Sequence, residues 1–201
     1  MKTITGLFDS YSDAKAAVSQ LEAAGVPSDQ VSIVSHRTDG DHDDSNAAEG
    51  AGAGAGIGAL AGGAGGLLTG IGMLAIPGVG PVVAAGWLVA TLAGAAAGAV
   101  VGGAAGGLIG AFTSSGVSEE DAHVYAEGVR RGGSVVTARV EDALAPTAES
   151  ILDSTNRVNV LDRRTAYNEG GWTRFDDTLD PYSATEVEAE RNRYRGTSDR
   201  L

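Results

Sequence analysis

The chain has 201 residues, a formal net charge of −12 and a sequence pI of about 4.5. Such acidity repels nucleic acid and anionic lipid headgroups unless basic residues cluster; the only lysines are Lys2 and Lys15, and the arginines are interleaved with carboxylates. The absence of cysteine excludes disulfides, thiolate catalysis and cysteine zinc sites.

The opening MKTITGLFDSYSDAK has one lysine, Lys2, and no apolar stretch before Asp9 and Asp13, so it does not read as a signal peptide. TITGLF (3–8) is apolar and β-branched and predicts a strand. A helix follows, capped by Ser10 or Ser12, with Ala14, Ala17, Val18 and Leu21 on one face and Gly25 as its terminator. VPSD (26–29) turns the chain into a second strand, QVSIVSH (30–36). Residues 1–37 thus form a first β-α-β half.

Residues 38–49 form an acidic linker. Asp39, Asp41, Asp43 and Ser45 imitate the start of a calcium loop, but Asp44 stands where glycine is needed and Gly50 where the bidentate glutamate belongs. No metal is expected there. No charged residue then occurs between Glu49 and Glu119, so residues 50–116 form a distinct module.

Within it, Gly54, Gly58, Gly62, Gly66 and Gly70 recur every four residues, and Gly94, Gly98, Gly102, Gly106 and Gly110 do the same. Four is the ridge spacing of an α-helix, so each set lines one stripe. Between them lies IPGVGPV, in which Pro77, Gly78, Gly80 and Pro81 supply a turn. The pattern predicts a glycine-zipper helical hairpin with arms near 51–75 and 82–113. Ten glycines in the first arm cost roughly 10 kcal/mol relative to alanine in an isolated helix. The penalty needs an offset, either a bilayer that forces helical backbone or packing against other copies. The uncharged run far exceeds the ~18 residues of a spanning segment. The acidic flanks, without Lys or Arg anchors, oppose insertion. A nucleotide-binding reading fails: GIGMLA (70–75) has no strand before it, and no lysine follows Lys15.

Residues 117–162 supply the second half. Ser118 caps a helix with Glu119, Glu120 and Asp121 in its first turn and Ala122, Tyr125, Ala126 and Val129 as its apolar stripe. Gly132 and Gly133 stop it. SVVTARV (134–140) predicts a third strand, ALAPTAESILDSTN (143–156) a helix with Pro146 in its first turn, and RVNVLD (157–162) a short fourth strand. The two halves are expected to pack as one small α+β, ferredoxin-like domain interrupted by the hairpin. Residues 163–201 are polar, with Trp172, Phe175, Tyr182 and Tyr194 isolated among mixed charges, and are expected to be a disordered tail in which 184–195 can form a short helix.

His36, His42 and His123 lie in unrelated contexts, and no nucleophile elbow or H-E-x-x-H motif occurs. No catalytic, metal or cofactor-binding residues, no cofactor and no small-molecule substrate are expected, and the chain reads as a non-enzyme.

Two segments resemble a known group. GLFDSYSDAKAAVSQLEAAGVPSDQVSIVS and GVSEEDAHVYAEGVRRGGSVVTARV are similar to the bacterial general stress proteins with a YflT-like domain. Tyr125, Gly128, Arg130, Arg131, Gly132 and Gly133 carry the second likeness, and the tail around Gly171-Trp172 is similar too. The resemblance implies a glycine-zipper insertion and a non-enzymatic link to general stress, with no catalytic residues to carry over. The expectation is therefore a stress-associated structural protein in the cytoplasm, whose hairpin contacts the cytoplasmic membrane or other copies of itself. A soluble self-assembling filament or shell, and a ligand-sensing α+β module anchored by the hairpin, are the alternatives.

Overall fold

The structure, a computed structural model, describes residues 1–36, 72–76, 78–88, 91 and 107–198. The linker 38–49, Pro77 and the ladder positions Gly54, Gly58, Gly62, Gly66, Gly70, Gly94, Gly98, Gly102 and Gly106 lie outside the described residues.

The chain runs β1 (Lys2–Phe8), α1 (Tyr11–Ala23), a 3-10 turn (Ser28–Gln30), β2 (Val31–His36), β3 (Gly72–Ile76) and β4 (Gly80–Ala85). It continues through α2 (Gly107–Ser114), α3 (Glu119–Arg130), β5 (Ser134–Val140), α4 (Ala145–Ser154), α5 (Val160–Glu169) and α6 (Ala184–Ser198). The first half forms for the reasons its residues give. Ser10 Oγ accepts from Asp13 N at 3.1 Å and caps α1, whose Ala14, Ala17, Val18 and Leu21 are buried. Gly25, at φ +95, closes the helix: its N–H donates to Glu22 O, and that of Val26 donates to Leu21 O. In the second half Ser118 caps α3 through Asp121 N at 3.2 Å. Gly132 takes φ +91 while Gly133 N donates to Gly128 O at 2.8 Å.

The sheet order is β1-β5-β2-β4-β3, and every neighbouring pair is antiparallel. Strand β5 therefore lies between β1 and β2, which run parallel to each other. The class is α+β, with helices on both faces of one sheet. Strand alternation sends Ile4, Phe8, Val31, Ile33, Val136 and Ala138 to the face covered by α1 and α4. Leu7, Val34, Val82, Ala84 and Val135 face α2 and α3 instead. Gly128 allows α3 to settle on β1, since a Cβ there would stand 2.7 Å from Leu7 Cδ1.

Three expectations are corrected. The turn at Gly78, Gly80 and Pro81 joins two strands, not two helices. Gly78 and Gly80 take φ +73 and +83, Val79 N donates to Ile76 O at 3.0 Å, and β3 pairs with β4 from Gly72↔Ala84 to Ile76↔Gly80. The arms drawn over 51–75 and 82–113 thus fail at their inner ends. There β4 completes the edge of β2 from His36↔Val82 to Ile33↔Ala85, and the buried Val82 and Ala84 replace zipper contacts with sheet burial. Pro81 precedes the β2 ladder, where its missing N–H removes no bond to β2.

The fourth strand expected over 157–162 is a single rung. Val158 N donates to Leu7 O at 2.8 Å on the outer side of β1. Asn159 then caps a helix, its Oδ1 accepting from Leu161 N and Asp162 N at 3.0 and 3.3 Å, so capping overrides the alternating pattern.

Nor is 163–198 a disordered tail. It holds most of α5 and all of α6, and Tyr167, Phe175 and Val187 are buried. Its polar composition suits a segment fastened mainly by charge and aromatic stacking. Among the described residues, no helix is long and apolar enough to cross a membrane.

Candidate functional site

The most concentrated chemistry among the described residues lies where α3 ends. Three arginines and three tyrosines interleave there as Tyr194, Arg163, Tyr167, Arg131, Tyr182, Arg130. The Arg163 guanidinium carbon lies 3.7 Å from the Tyr194 ring centre and 5.9 Å from that of Tyr167. Arg131 lies 4.1 Å from Tyr167 and 5.3 Å from Tyr182, and Arg130 lies 5.0 Å from Tyr182. Trp172 meets the edge of Tyr167 with ring centres 5.5 Å apart. Cation–π contacts of this kind gain strength when desolvated.

The arginines are held by carboxylates. Glu127, with no exposed surface, takes a forked bond from Arg130: Nε to Oε2 at 3.0 Å and Nη2 to Oε1 at 2.6 Å. Its Oε1 also accepts from Arg131 Nε at 2.6 Å. Arg131 Nη1 reaches on to Glu190 Oε1 at 2.8 Å, and that oxygen also accepts from Tyr194 Oη at 2.9 Å. Glu127 and Glu190 thus serve Arg130 and Arg131, and Glu190, which comes from α6, also pairs with the exposed Arg193 at 3.2 Å. Nearby, Arg163 grips Asp9 with both Nη atoms at 2.7 and 2.8 Å.

Backbone groups complete the attachment. Arg130 Nη1 donates to Asp180 O at 3.0 Å, and Tyr182 N donates to Arg130 O at 3.2 Å. Arg191 returns to the carbonyls of Asp9 and Gly132 at 3.0 and 3.1 Å.

Electrostatics fixes the charge states. Burial opposes the charge on Arg131, but the hydrogen bonds to Glu190 and Glu127 outweigh it and raise its proton affinity. For Arg163 burial is likewise outweighed, by Asp9. Burial pushes the Tyr167 phenol well up, against the opposing pull of Arg163. At neutral pH the arginines stay cationic and Tyr167 stays neutral. Each cluster carboxylate is committed to an arginine, so the arrangement is built to hold elements together.

A cleft of about 370 Å³ lies beside the cluster, lined by Ile109, His123 and residues 173–177. Burial lowers the His123 pKa, with Arg174 adding to the effect and Glu119 opposing it. Asp176 in this wall already accepts from Thr178 N and Oγ1 at 2.9 and 2.6 Å. Among the described residues, no group of three or more His, Asp or Glu stands where a metal could be held.

Of the predicted packing glycines, Gly110 lies in α2 with nothing within 4 Å of a Cβ position, so no helix meets it among the described residues. Gly78 and Gly80 do have close neighbours, in the C-terminal segment. A Cβ on Gly78 would stand 2.5 Å from Asp177 Cα, and one on Gly80 would stand 2.8 Å from Pro181 Cγ. Sequence reasoning isolated Arg130, Arg131, Gly132 and Gly133 as family-like but missed Glu127, Asp9, Arg163, Tyr167, Val187 and Glu190 as their partners. The available signal was aromatic content: disordered segments are poor in aromatics, yet Trp172, Phe175, Tyr182 and Tyr194 cluster late in the chain.

The family model of the heat induced stress protein YflT domain matches residues 3–74, from β1 through β2 to β3. No curated protein and no solved structure matches the chain.

Proposed function

We propose that this chain, whose residues 3–74 carry the YflT domain of the bacterial general stress proteins, works as a non-enzymatic, self-associating structural protein. The stress association rests on that domain. The observation that carries the finer reading is the seating of the β3–β4 hairpin. It pairs with β2 between the two glycine-rich stretches, so both stretches begin and end on the folded domain. In this reading the two uncharged, glycine-laddered stretches of the sequence are what other copies recognise. Small residues at a four-residue step suit close approach between chains. The net charge of −12 favours protein partners over anionic lipid.

The test is the oligomeric state of the full chain by sedimentation equilibrium, beside the variant Gly62→Leu/Gly102→Leu. The native chain should associate and the variant should shift toward monomer with unchanged near-ultraviolet circular dichroism. A monomeric native chain, or an equally associated variant, sinks the reading. Flotation with neutral and anionic vesicles separates lipid binding, and a native chain that floats would replace self-association with membrane attachment.

A further inference from the structure

The segment beyond Phe175 is attached differently from the rest of the domain. Phe175 belongs to the hydrophobic core beneath α2 and α3. Among the described residues after it, Val187 alone is a fully buried apolar side chain, at 1% exposure. Apart from Pro181 against Gly80, the other fastenings of residues 180–194 are polar or stacked: Asp180, Tyr182, Glu190, Arg191 and Tyr194 bind the end of α3, the arginines beside it or the carbonyl of Asp9. Segments with few buried apolar contacts open at a lower free energy than core strands. The receiving surface is shaped for this segment. Gly132 and Gly80, both at positive φ, leave notches for Val187 and Pro181.

We propose that residues 180–194 are a releasable latch. The unit undocks from a domain that stays folded, with its hinge between Asp177, which stays against Gly78, and Asp180, and so uncovers the groove between Gly80 and Gly132. This goes beyond the self-association reading and does not depend on it. Undocking removes Glu190 from Arg131 while Arg163 keeps Asp9, so Arg130 and Arg131 are left to share Glu127 and the open groove has one unbalanced arginine for a competing acidic segment. His36 ends β2 beside this groove, its Nε2 3.7 Å from the Cβ position of Gly80, where Pro181 also lies. Among the described residues neither of its ring nitrogens has a hydrogen-bond partner. Burial, then the positive charge of Arg191, lowers its pKa. His36 therefore reports whether the latch is closed.

The experiment is hydrogen exchange on the full chain with Val187→Asp, together with an NMR titration of His36. The expected result is exchange faster by about tenfold or more across 182–194, with β1 and β5 amides as protected as in the native chain. The His36 midpoint should move up toward the ordinary histidine value. Loss of β1 and β5 protection along with the latch would show one cooperative unit and overturn the proposal. So would a fast-exchanging 182–194 with His36 unmoved. If neither Val187→Asp nor Val187→Asp/Glu190→Lys speeds exchange across 182–194, no latch exists.

Discussion

Gly132 makes room for Val187. A Cβ on Gly132 would overlap both methyl carbons of Val187 and stand 3.0 Å from its Cβ. The same residue sits at φ +91, where L side chains are strained. One position thus ends α3 and receives α6, so the helix terminator of the first element is the docking notch of the last.

Gly132→Ala is accordingly expected to destabilise the chain by about 1–3 kcal/mol in urea unfolding. Adding Val187→Ala relieves the overlap but not the backbone strain. The double variant should therefore lose less than the sum of the two single losses. Fully additive losses would mean that the two residues do not meet.

Glu127 is the buried charge on which the arginine cluster closes. Removing it by Glu127→Ala leaves Arg130 and Arg131 with Glu190 as their one described carboxylate partner, and breaking a buried pair in this way costs about 3–5 kcal/mol. Glu190→Ala removes the outer of the two carboxylates and leaves the three bonds from Arg130 and Arg131 to Glu127. Its loss should be smaller. Equal stability of Glu127→Ala and the native chain in urea would show that the cluster is not formed in solution.

Buried phenols are expected to contribute to the fall of stability at alkaline pH. Burial first, with Asp121 adding, raises Tyr125 from 10.0 to about 12. A phenol whose folded pKa exceeds its unfolded value contributes fully below pH 10 and loses that contribution as pH rises toward 12. The loss from Tyr125 is about 2 kcal/mol by pH 12. Tyr125→Phe should flatten the fall in stability between pH 10 and 12, measured by urea unfolding at each pH. An unchanged slope would show that Tyr125 titrates as though exposed.

How much of this was readable depends on whether the signal was local. The caps at Ser10 and Ser118, the stop at Gly25, the stripe Ala122–Val129 and the strands expected at 3–8, 30–36 and 134–140 all come from neighbours in sequence, and the structure has each of them to within a residue. Gly78, Gly80 and Pro81 marked a turn, and a turn is there. The glycine step around them argued for helices, because nothing local reveals that β2 has an edge waiting for Val82 and Ala84. Likewise, RVNVLD alternates like a strand, and only the Asn159 side chain decides for a helix. The tail was the largest miss. Its partners Glu127, Arg131 and Asp9 lie far away in the chain, and a polar segment fastened by ion pairs has the composition of a solvated one.

The face toward α1 and α4 carries a polar pair that tests the sheet register. Ser35 and Ser134 are directly paired across β2 and β5, with their hydroxyl oxygens 2.7 Å apart and both residues buried. Two hydroxyls that satisfy each other add little net stability, but either one left alone carries a desolvation penalty. Ser35→Ala should therefore cost about 1–3 kcal/mol by stranding the Ser134 hydroxyl. Removing the second hydroxyl as well, in Ser35→Ala/Ser134→Ala, should return much of that loss, because no buried donor then lacks a partner. The measurement is a double-mutant cycle in urea. Its coupling should be favourable and on the order of 1 kcal/mol. Single losses that simply add would place the two hydroxyls out of reach, and with them the register that sets β5 between β1 and β2.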